Sequence, residues 1–346
     1  MGRFAIIAVI TLLFSLSIVG YNMNRRATSA VNNYTNYYSE TRAEDVASSA
    51  AEIFIRKLNE DPTMRGTYTI DPLLQGSATV RIDSITGVYD TLAGQALDTL
   101  MMTSVGVFDG DSDVIMNKLY PVPLQIPTPP GAVSMSAGKS VSIEIGGHAM
   151  TSGIDTNVIN GSPAPDSVAG VAINSATPSS NISVDDNVFG KGGMVPDTMR
   201  VSGTANYTTF ANAMIRLATV YSGETFSSGT LGTDLAPQIT YFTGDTHITG
   251  PVTGSGILIV DGALNISGQF TFHGLVIVYG TTTISASSTS SYTQEGASAI
   301  YGGVVVAGEN ASYSQQGSAL VRYSSAAIQN VQDKTVGKYL IMDWWQ

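Results

Sequence analysis

The N-terminal part of the chain carries an unbroken apolar run followed by a regular helical pattern. Residues 4–20 read FAIIAVITLLFSLSIVG, seventeen residues without a charge, and the uncharged stretch continues to Asn24. As a helix at ~1.5 Å per residue the run spans roughly 26 Å, close to the ~30 Å hydrocarbon core of a bilayer. Residues 21–60 contain neither glycine nor proline. The pattern predicts one helix over about residues 3–59, whose apolar first third anchors the chain in a membrane.

The rest of this predicted helix is amphipathic, with apolar or small side chains near every third or fourth position. These side chains are Ala27, Ala30, Val31, Tyr34, Tyr37, Tyr38, Thr41, Val46, Ala47, Ala50, Ile53, Phe54 and Leu58. A stripe so rich in alanine and tyrosine favours packing on a sheet, and a coiled-coil stalk is the alternative. Asp61-Pro62 ends the helix, because the residue before a proline is disfavoured in the helical region.

A cleavable signal peptide is the alternative to the membrane anchor, since a positive start and an apolar run are common to both. The chain leaves the apolar run as IVGYNMNRRA, which lacks the A-x-A pattern of a cleavage site. This favours the anchor. Arg3 and the α-amine flank one end of the run and Arg25-Arg26 the other, so charge does not decide the orientation in the membrane.

Residues 61–120 alternate apolar and polar positions and predict a small antiparallel sheet. The strand-like runs are GTYTID, SATVRIDSI, LMMTSVGVF and DVIMNKLYPV. Residues 121–131, PVPLQIPTPPG, hold five prolines and predict a semi-rigid linker at a module boundary. Residues 132–235 predict a mixed region of strand fragments and loops, with one helix over 204–221.

A repeat with a period of eighteen residues marks the last module, residues 236–346. ILIVDGALNIS and LVIVYGTTTIS superpose at that offset, so that Gly262 aligns with Gly280, and Gly244 lies eighteen residues before Gly262. VVVAGENASYS, with Gly308, is a further copy after a longer insertion. Short strands joined by glycine corners at a fixed period predict a β-solenoid, in which each coil packs only on its neighbours. An antiparallel meander is the alternative.

The last residues, RYSSAAIQNVQDKTVGKYLIMDWWQ, predict a short helix and then a strand. Trp344 and Trp345 in that strand are expected to cap the solenoid, or else to form an exposed binding patch. Together the patterns predict an α+β, mostly β fold. Its parts are the long helix of residues 1–60, a small antiparallel sheet, a proline-rich linker and a C-terminal β-solenoid.

Composition restricts the chemistry of this chain. There are 16 Lys+Arg against 27 Asp+Glu, which gives a net charge of -11. An acidic surface repels phosphate backbones, so we expect no nucleic-acid partner. Charged residues make up 12% of the chain, about half the usual ~25%. The chain has no cysteine, which excludes disulfides, thiolate metal sites and thiol nucleophiles.

Asp109, Asp111 and Asp113 form the only candidate metal site in the sequence. Alternating carboxylates in a tight loop can surround a calcium ion with oxygen ligands. The EF-hand pattern requires glycine at loop position six and glutamate at position twelve, where this chain has Val114 and Tyr120. A plain hairpin turn rich in aspartate and glycine explains the motif as well.

Catalytic residues are not expected. His148, His247 and His273 are the three histidines, and each stands alone in the sequence. Asp245 follows its corner glycine whereas Asp261 precedes its own, so the repeat stacks no carboxylate pair for acid–base catalysis. No nucleophile elbow, phosphate loop or zinc-protease motif is present. The sequence predicts a protein that is not an enzyme and binds no cofactor.

The N-terminal region resembles that of the PilX-like minor pilins and the GspK-like pseudopilins. The matching features are the arginine-led apolar run at 3–20, the alanine-rich SETRAEDVASSAAEIFIRKL at 39–58, and the strand-like stretch that follows, up to about residue 125. The prepilin pattern of glycine, phenylalanine and a glutamate five residues into the mature chain is absent from MGRFAII. Pseudopilins of the GspK type also lack that glutamate. The solenoid resembles those of polymer-forming proteins and of some PilX-like proteins.

The resemblance implies a structural role, as a minor subunit of a type IV pilus or a related secretion pseudopilus in a diderm bacterium. Residues 4–20 would lie in the inner membrane before assembly and in the filament core afterwards. The implied partners are the membrane through residues 4–20, other pilin-like subunits and, for an adhesive solenoid head, a surface glycan or a host or substrate surface. The alternatives are a tethered cell-surface or periplasmic binding protein that never polymerises and, third, a carbohydrate-active β-helix enzyme.

Overall fold

The described part of the chain contains three helices and 22 strands. In this computed structural model it comprises residues 2–85, 99–159, 166–174, 179–193, 195–201, 206–223, 225–279, 289–294 and 298–345. In chain order the elements are α1 (Gly2–Glu60), β1 (Gly66–Leu73), β2 (Gly76–Ser84), β3 (Leu100–Phe108), β4 (Asp111–Pro123), β5 (Gly131–Ile145), β6 (Met150–Ser152), β7 (Ala169–Asn174), β8 (Ser179–Val184), β9 (Val188–Phe189), β10 (Thr198–Val201), α2 (Tyr207–Ile215), β11 (Thr219–Ser222), β12 (Thr225–Phe226), β13 (Gly229–Leu231), β14 (Gln238–Thr243), β15 (Thr246–Ile248), β16 (Val252–Asp261), β17 (Leu264–Ile266), β18 (Phe270–Tyr279), β19 (Thr289–Gln294), β20 (Ala299–Gln315), β21 (Leu320–Tyr323), α3 (Ser325–Lys334) and β22 (Val336–Trp345).

Helix α1 has the predicted length, and its second half packs on an antiparallel sheet. The side chains that it buries there are Ala43, Val46, Ala47, Ala50, Ala51, Phe54 and Leu58. Small residues allow a close approach: a Cβ added to Gly106 of β3 would lie 2.3 Å from the carbonyl oxygen of Ala43. The hydroxyl of Ser104 donates a hydrogen bond of 2.7 Å to the carbonyl of Ala47. The predicted packing of this half on a sheet is therefore confirmed, in place of a coiled-coil stalk.

The antiparallel sheet has the strand order β1-β2-β3-β4-β22. Its first four strands follow the predicted runs, and the fifth comes from the C-terminus. Trp344 lies opposite Asn117 and Trp345 opposite Met116 in β4, so the prediction that the two tryptophans cap the repeat module is wrong. Both are about half exposed at the sheet edge. The α+β, mostly β class with a long helix and a small antiparallel sheet is confirmed.

The proline-rich stretch, predicted as a semi-rigid linker over residues 121–131, begins as the last residues of strand β4. Pro121 lies opposite Tyr339 and Pro123 opposite Val336 in the ladder between β4 and β22. Proline is tolerated there because β3 pairs with β4 only as far as Leu119, so β4 continues as an edge on that side. Leu124 and Ile126 of the stretch are buried. The chain therefore leaves the sheet along a fixed path.

Seventeen strands pair in parallel as a stack of coils, which we call the coil stack. Each coil has three short strands, and each strand pairs with the equivalent strand of the next coil. For example, β16 pairs with β18 at an offset of eighteen residues, from Val252↔Phe270 to Asp261↔Tyr279. The predicted period of eighteen residues is therefore the offset at which these two strands pair. Because the pairing is parallel, the alternative of an antiparallel meander is wrong.

The coil stack is longer than the predicted repeat module and is not wound in chain order. From one end its coils are residues 219–231, 238–254, 256–273, 274–301, 302–323, 131–152 and 169–189, followed by the strand β10. The predicted boundary at residue 235 therefore falls inside it. The predicted helix over 204–221 is shorter, because residues 219–222 pair with β14 as strand β11. The whole stack is inserted between the adjacent strands β4 and β22.

Helices α2 and α3 cover one outer face of the coil stack. Helix α3 packs against β16, β18 and β20, and α2 packs against β14, β18 and β20. Ile259 and Val260 lie opposite Ile277 and Val278, as the period predicts. All four are completely buried, whereas an uncovered strand would bury only one residue of each adjacent pair. The helices supply the second buried face.

A valine at Gly262 is expected to destabilise the coil stack by about 1–3 kcal/mol. Gly262 has φ +144°, and an added Cβ would lie 2.6 Å from a carboxylate oxygen of Asp245. That oxygen is held by the backbone N–H of Ala263 at 2.7 Å. Urea unfolding of the variant measures the cost, with Thr253→Val on an exposed strand position as the control. Equal stability of the two variants would contradict the strained corner. Gly280, the next corner of the predicted repeat, lies outside the described residues.

Candidate assembly helix and head surfaces

Helix α1 leaves the antiparallel sheet at Ser39, which marks the start of an unsupported segment. The hydroxyl of Ser39 donates to a carboxylate oxygen of Asp111 at the β3–β4 turn. The ring of Tyr38 meets the ring of Phe108 edge-on at 6.0 Å, and the guanidinium of Arg42 lies over the same ring at 5.5 Å. These contacts fix the direction in which residues 7–38, here called the arm, project from the rest of the protein.

The arm exposes large apolar side chains around its entire circumference. Their exposed fractions run from 47% at Tyr38 to 72% at Tyr34. The set comprises Ile7, Val9, Ile10, Leu12, Leu13, Phe14, Leu16, Ile18, Val19, Tyr21, Met23, Val31, Tyr34, Tyr37 and Tyr38. A helix that is apolar all round belongs in a membrane or among other apolar helices. A continuous apolar surface of this size therefore requires an external partner.

The hydroxyl groups of the apolar run, Thr11, Ser15 and Ser17, need no such partner. Thr11 donates to the carbonyl of Ile7 at 2.8 Å, and Ser15 donates to that of Thr11 at 2.9 Å. Ser17 bonds the carbonyl of Leu13 in the same way. Because these three hydroxyls are bonded four residues back on their own helix, none of the three is left unpaired when the apolar run enters an apolar medium.

The arm has the dimensions and polarity of a membrane span. Among the described residues, α1 is the one helix that is long and apolar enough to cross a membrane. The mean hydropathy of its most apolar 18 residues is 1.6, and none of these residues is buried. Arg25 and Arg26 are the first charged residues after the apolar run. The two arginines mark the end of the apolar run on the side that faces the rest of the protein.

The predicted calcium loop is a tight hairpin in the structure. Asp109 and Gly110 form its two-residue turn, with φ angles of +49° and +92°, and Phe108 pairs with Asp111 across it. Asp111 accepts from Ser39, and a carboxylate oxygen of Asp113 accepts from the next backbone N–H at 2.8 Å. No group of three or more histidines and carboxylates able to hold a metal occurs in the described ranges. The turn thus serves to hold the helix; calcium binding stays a prediction.

The three histidines lie on three different coils of the coil stack. His148 is exposed in a turn, and the Nε2 of His247 lies 3.0 Å from the hydroxyl of Ser267. His273 directs its Nδ1 at both carboxylate oxygens of Asp234, each at 3.0 Å. The sequence did not reveal this last pair, because 39 residues separate its members and no periodicity links the loop to the strand.

The His273–Asp234 pair lacks the third group that nucleophilic catalysis needs. Ser255 lies opposite His273 on the neighbouring coil, so its side chain occupies the same face. Its buried hydroxyl has no hydrogen-bond partner in the described structure, so no serine–histidine contact is formed. Asp234 instead ties the coil stack to α3, since its carbonyl accepts from the side chains of Asn330, at 3.0 Å, and Lys334.

Buried tyrosines of the coil stack stay protonated at physiological pH. Burial, together with the charges of Asp155 and Asp166, raises the pKa of Tyr323 to about 12. Burial likewise raises the pKa of Tyr279, whose hydroxyl donates to the side-chain oxygen of Asn212 in α2 at 3.2 Å. A tyrosine with a raised pKa is not ionised near neutrality, so these groups act as hydrogen-bond donors and packing units rather than as bases.

Each histidine is expected to be replaceable without loss of function. His148→Asn, His247→Gln and His273→Gln should retain membrane association and assembly, because none of the three contacts the arm. The expected cost in stability is within about 0.5 kcal/mol for His148 and about 1 kcal/mol for His273, which loses its bond to Asp234. Thermal unfolding and fractionation measure both. A hydrolytic activity that disappears with one histidine while the fold persists would contradict a structural role.

One outer face of the coil stack presents rows of short polar side chains. Ser142 lies opposite Ser312, and Glu144 lies opposite Ser314 on the next coil. Towards the other end, Thr225, His247 and Asn265 form a similar row. Neighbouring strands are about 4.8 Å apart, so hydrogen-bonding groups recur at that spacing along the stack.

No protein-family model and no curated protein matches the chain. Among solved structures, it is similar to the competence-associated pilin ComZ from Thermus thermophilus, at 8% sequence identity and a TM-score of 0.22. The similarity covers 89% of this chain and 97% of that chain. These values are too low to establish a common fold or family, so the functional conclusion has to rest on the geometry of the chain itself.

Proposed function

We propose that this protein is a structural, minor pilin-like subunit of a type IV pilus or a related secretion pseudopilus. The observation that carries the proposal is the arm, a fully exposed apolar helix that continues into the amphipathic half of α1 on a small antiparallel sheet. The sequence resemblance to PilX-like and GspK-like proteins covers the same residues. An arm of this kind is stable in a bilayer and equally in a core of packed helices.

The proposed sequence of states follows from the two surroundings that the arm can occupy. Before assembly, residues 4–20 lie in the inner membrane of a diderm bacterium, with the antiparallel sheet and the coil stack in the periplasm. In the filament the same residues exchange lipid for neighbouring helices. Because the hydroxyls of Thr11, Ser15 and Ser17 are bonded within the helix, this exchange leaves their hydrogen bonds intact.

The coil stack is the part of such a subunit that remains exposed, and we propose that it contributes adhesion. Its polar rows repeat at about 4.8 Å, close to the length of one sugar unit in an extended glycan, which supports a surface glycan as the ligand. A glycan array probed with the detergent-solubilised full chain tests this part of the proposal. Binding that is lost in Glu144→Ala or Asn265→Ala would support it, and no retained glycan would contradict it.

An arginine in the middle of the apolar run is expected to remove the chain from membranes. Ile10→Arg places a charge near the bilayer centre at a cost of roughly 2.5–3.5 kcal/mol on insertion scales. Carbonate extraction of membranes from cells that express the full chain measures retention. Asn33→Arg, on the same helix beyond the apolar run, is the matched control and should be retained. A chain cleaved near Gly20 and released in soluble form would contradict the anchor.

A tethered binding protein that never polymerises is the alternative. It shares the membrane association and the exposed head, so retention in membranes does not distinguish it from a subunit. The distinguishing property is the presence of the chain in filaments, which this alternative lacks. Genes for a prepilin peptidase and a pilus ATPase beside the gene for this chain would favour the subunit.

A further inference from the structure

The coil stack has a pocket beside helix α3, which we call the α3 pocket. Its volume is about 370 Å³. Side chains from four separate segments of the chain line it, among them Asp166, Val168, Lys191, Tyr323, Ile328 and Gln332. Small-molecule sites usually measure roughly 300–1,000 Å³. The α3 pocket therefore has room for one small ligand and not for several units of a chain.

The α3 pocket contains a buried hydroxyl that has no partner. Tyr323, the last residue of β21, lines the pocket and is 2% exposed. Its hydroxyl forms no hydrogen bond with any described residue. Because its pKa is raised to about 12, this hydroxyl is a donor near neutral pH. A buried donor without an acceptor is unfavourable, so the acceptor has to come from the pocket.

The remaining lining combines an apolar floor with a polar rim. Ile328 is 5% exposed and lies against the partly buried Val168 side of the pocket. The rim carries the ammonium of Lys191, the carboxylate of Asp166 and the amide of Gln332. None of these three groups forms a hydrogen bond or an ion pair with the described part of the chain. Each is therefore available to a ligand.

Backbone hydrogen bonds fix the positions of the rim residues. The N–H of Lys191 donates to the carbonyl of Val168 at 2.9 Å. The N–H of Asp166 donates to the carboxylate of Asp155 at 3.3 Å, and the same carboxylate accepts from the N–H of Ser325 at 2.9 Å. Asp155 thus already occupies the N-terminus of α3. The groups left for a ligand are side chains that a rigid backbone holds in place.

We infer that the α3 pocket binds a single neutral sugar residue. Sugar hydroxyls both donate and accept, so they can bond the Tyr323 hydroxyl, the ammonium of Lys191 and the carboxylate of Asp166 together. The C–H face of the ring suits the apolar floor. The opposite charges of the rim offset each other, which favours a neutral ligand over an acidic one. The inference rests on the proposed function in that it supplies the exposed head with a second, pocket-type glycan site.

Titration with free hexoses tests the inference. The full chain is solubilised in a zwitterionic detergent without a sugar headgroup, and glucose, galactose and mannose are titrated by saturation-transfer NMR. At least one of them should bind. In Tyr323→Phe its dissociation constant should rise about threefold to tenfold, as expected for the loss of one hydrogen bond. Lys191→Met, which keeps the apolar stem and removes the ammonium, should weaken binding similarly.

Tyr207→Phe is the matched control. Tyr207 is 1% exposed and its hydroxyl is also without a partner, but it does not line the α3 pocket. This variant should bind the hexose as the unaltered chain does. Tyr323→Phe should unfold at the same temperature as the unaltered chain, because its hydroxyl bonds no described residue. A hexose affinity that is equal in Tyr323→Phe and Tyr207→Phe would overturn the inference, and so would the absence of binding by all three hexoses.

The polar rows of the coil stack provide the comparison that separates this inference from the proposed function. Asn265→Ala, in a polar row, should leave hexose binding unchanged. Hexose binding that is lost in Asn265→Ala and retained in Tyr323→Phe would overturn the α3 pocket as the site and leave the proposed adhesion standing. The proposed subunit role is decided by membrane retention and by the presence of the chain in filaments, which neither variant alters.

Discussion

Replacing Gly274 with valine is expected to unfold most of the coil stack. Gly256, Gly274 and Gly302 lie opposite one another on three successive coils, all with positive φ between +131° and +142°. A Cβ on Gly274 would lie 2.0 Å from the carbonyl oxygen of Gly256. Backbone cannot move aside as a flexible side chain does, so both coils would have to separate. We expect a loss of about 4 kcal/mol or more.

The position of Gly274 in the stack enlarges this effect. In a repeat array each coil is stabilised by its two neighbours, so a break at an internal interface separates the array into shorter pieces. Urea unfolding followed by circular dichroism measures the loss, and hydrogen exchange locates it. Thr271→Val, an exposed position on the same strand, is the control and should change stability by less than about 0.5 kcal/mol. A Gly274→Val protein as stable as this control would contradict the stacked glycines.

Removal of residues 336–346 is expected to unfold the antiparallel sheet and release α1 from it. Strand β22 is the neighbour of β4, and its Tyr339 is buried in the core beneath α1. Loss of a buried aromatic side chain of this size alone costs about 3–5 kcal/mol. The deletion also removes the hydrogen bond of 2.7 Å from the Tyr339 N–H to the side chain of Asn59. The bared edge of β4 would then promote aggregation.

Limited proteolysis of the truncated chain distinguishes the two parts of the protein. The coil stack should persist as a resistant fragment, because its strands pair only with one another. The antiparallel sheet and α1 should be degraded. Trp344→Ala combined with Trp345→Ala is the control, since it keeps the β22 backbone and removes only half-exposed side chains. Equal resistance of the sheet with and without residues 336–346 would contradict its closure by the C-terminal strand.

The elements predicted from local patterns are the ones that the structure contains. The apolar run and the absence of glycine and proline from Tyr21 to Glu60 specify α1, and strict alternation specifies β1–β4. The offset of eighteen residues gives the register of β16 on β18, because the coil that ends in β18 has the same number of residues as the coil before it. These features depend on residues close together in the sequence, where periodicity is informative.

With the exception of one pair of glycines, the features that sequence reasoning missed join distant parts of the chain. Nothing in the period of KYLIMDWW indicates that β22 pairs with β4 after more than two hundred intervening residues. The coil at 131–152 docks on the coil at 302–323, but its loops differ in length from the repeat, so no fixed offset exposes the match. The glycines at 256 and 274 were visible eighteen residues apart, and an alignment centred on the corner at Gly262 overlooked them.

The same distinction applies to the candidate sites. Hydrophobicity alone predicts the arm. The structure adds that its large apolar side chains are exposed and not packed on the rest of the fold. Asp109 lies in a two-residue turn, and Asp111 and Asp113 lie in the strand that follows it, because the flanking strands pair right up to the turn. The His273–Asp234 contact depends on how the loop before β14 folds over a later coil, which no spacing rule describes.

The presence of this chain in filaments tests the central claim most directly. Filaments sheared from cells, purified by sedimentation and analysed by mass spectrometry should contain peptides of the coil stack at a small, constant ratio to the main subunit. The Ile10→Arg chain should be absent from the same fraction. A wild-type chain that remains wholly in the membrane fraction while filaments assemble normally without it would contradict the subunit and leave a tethered binding protein.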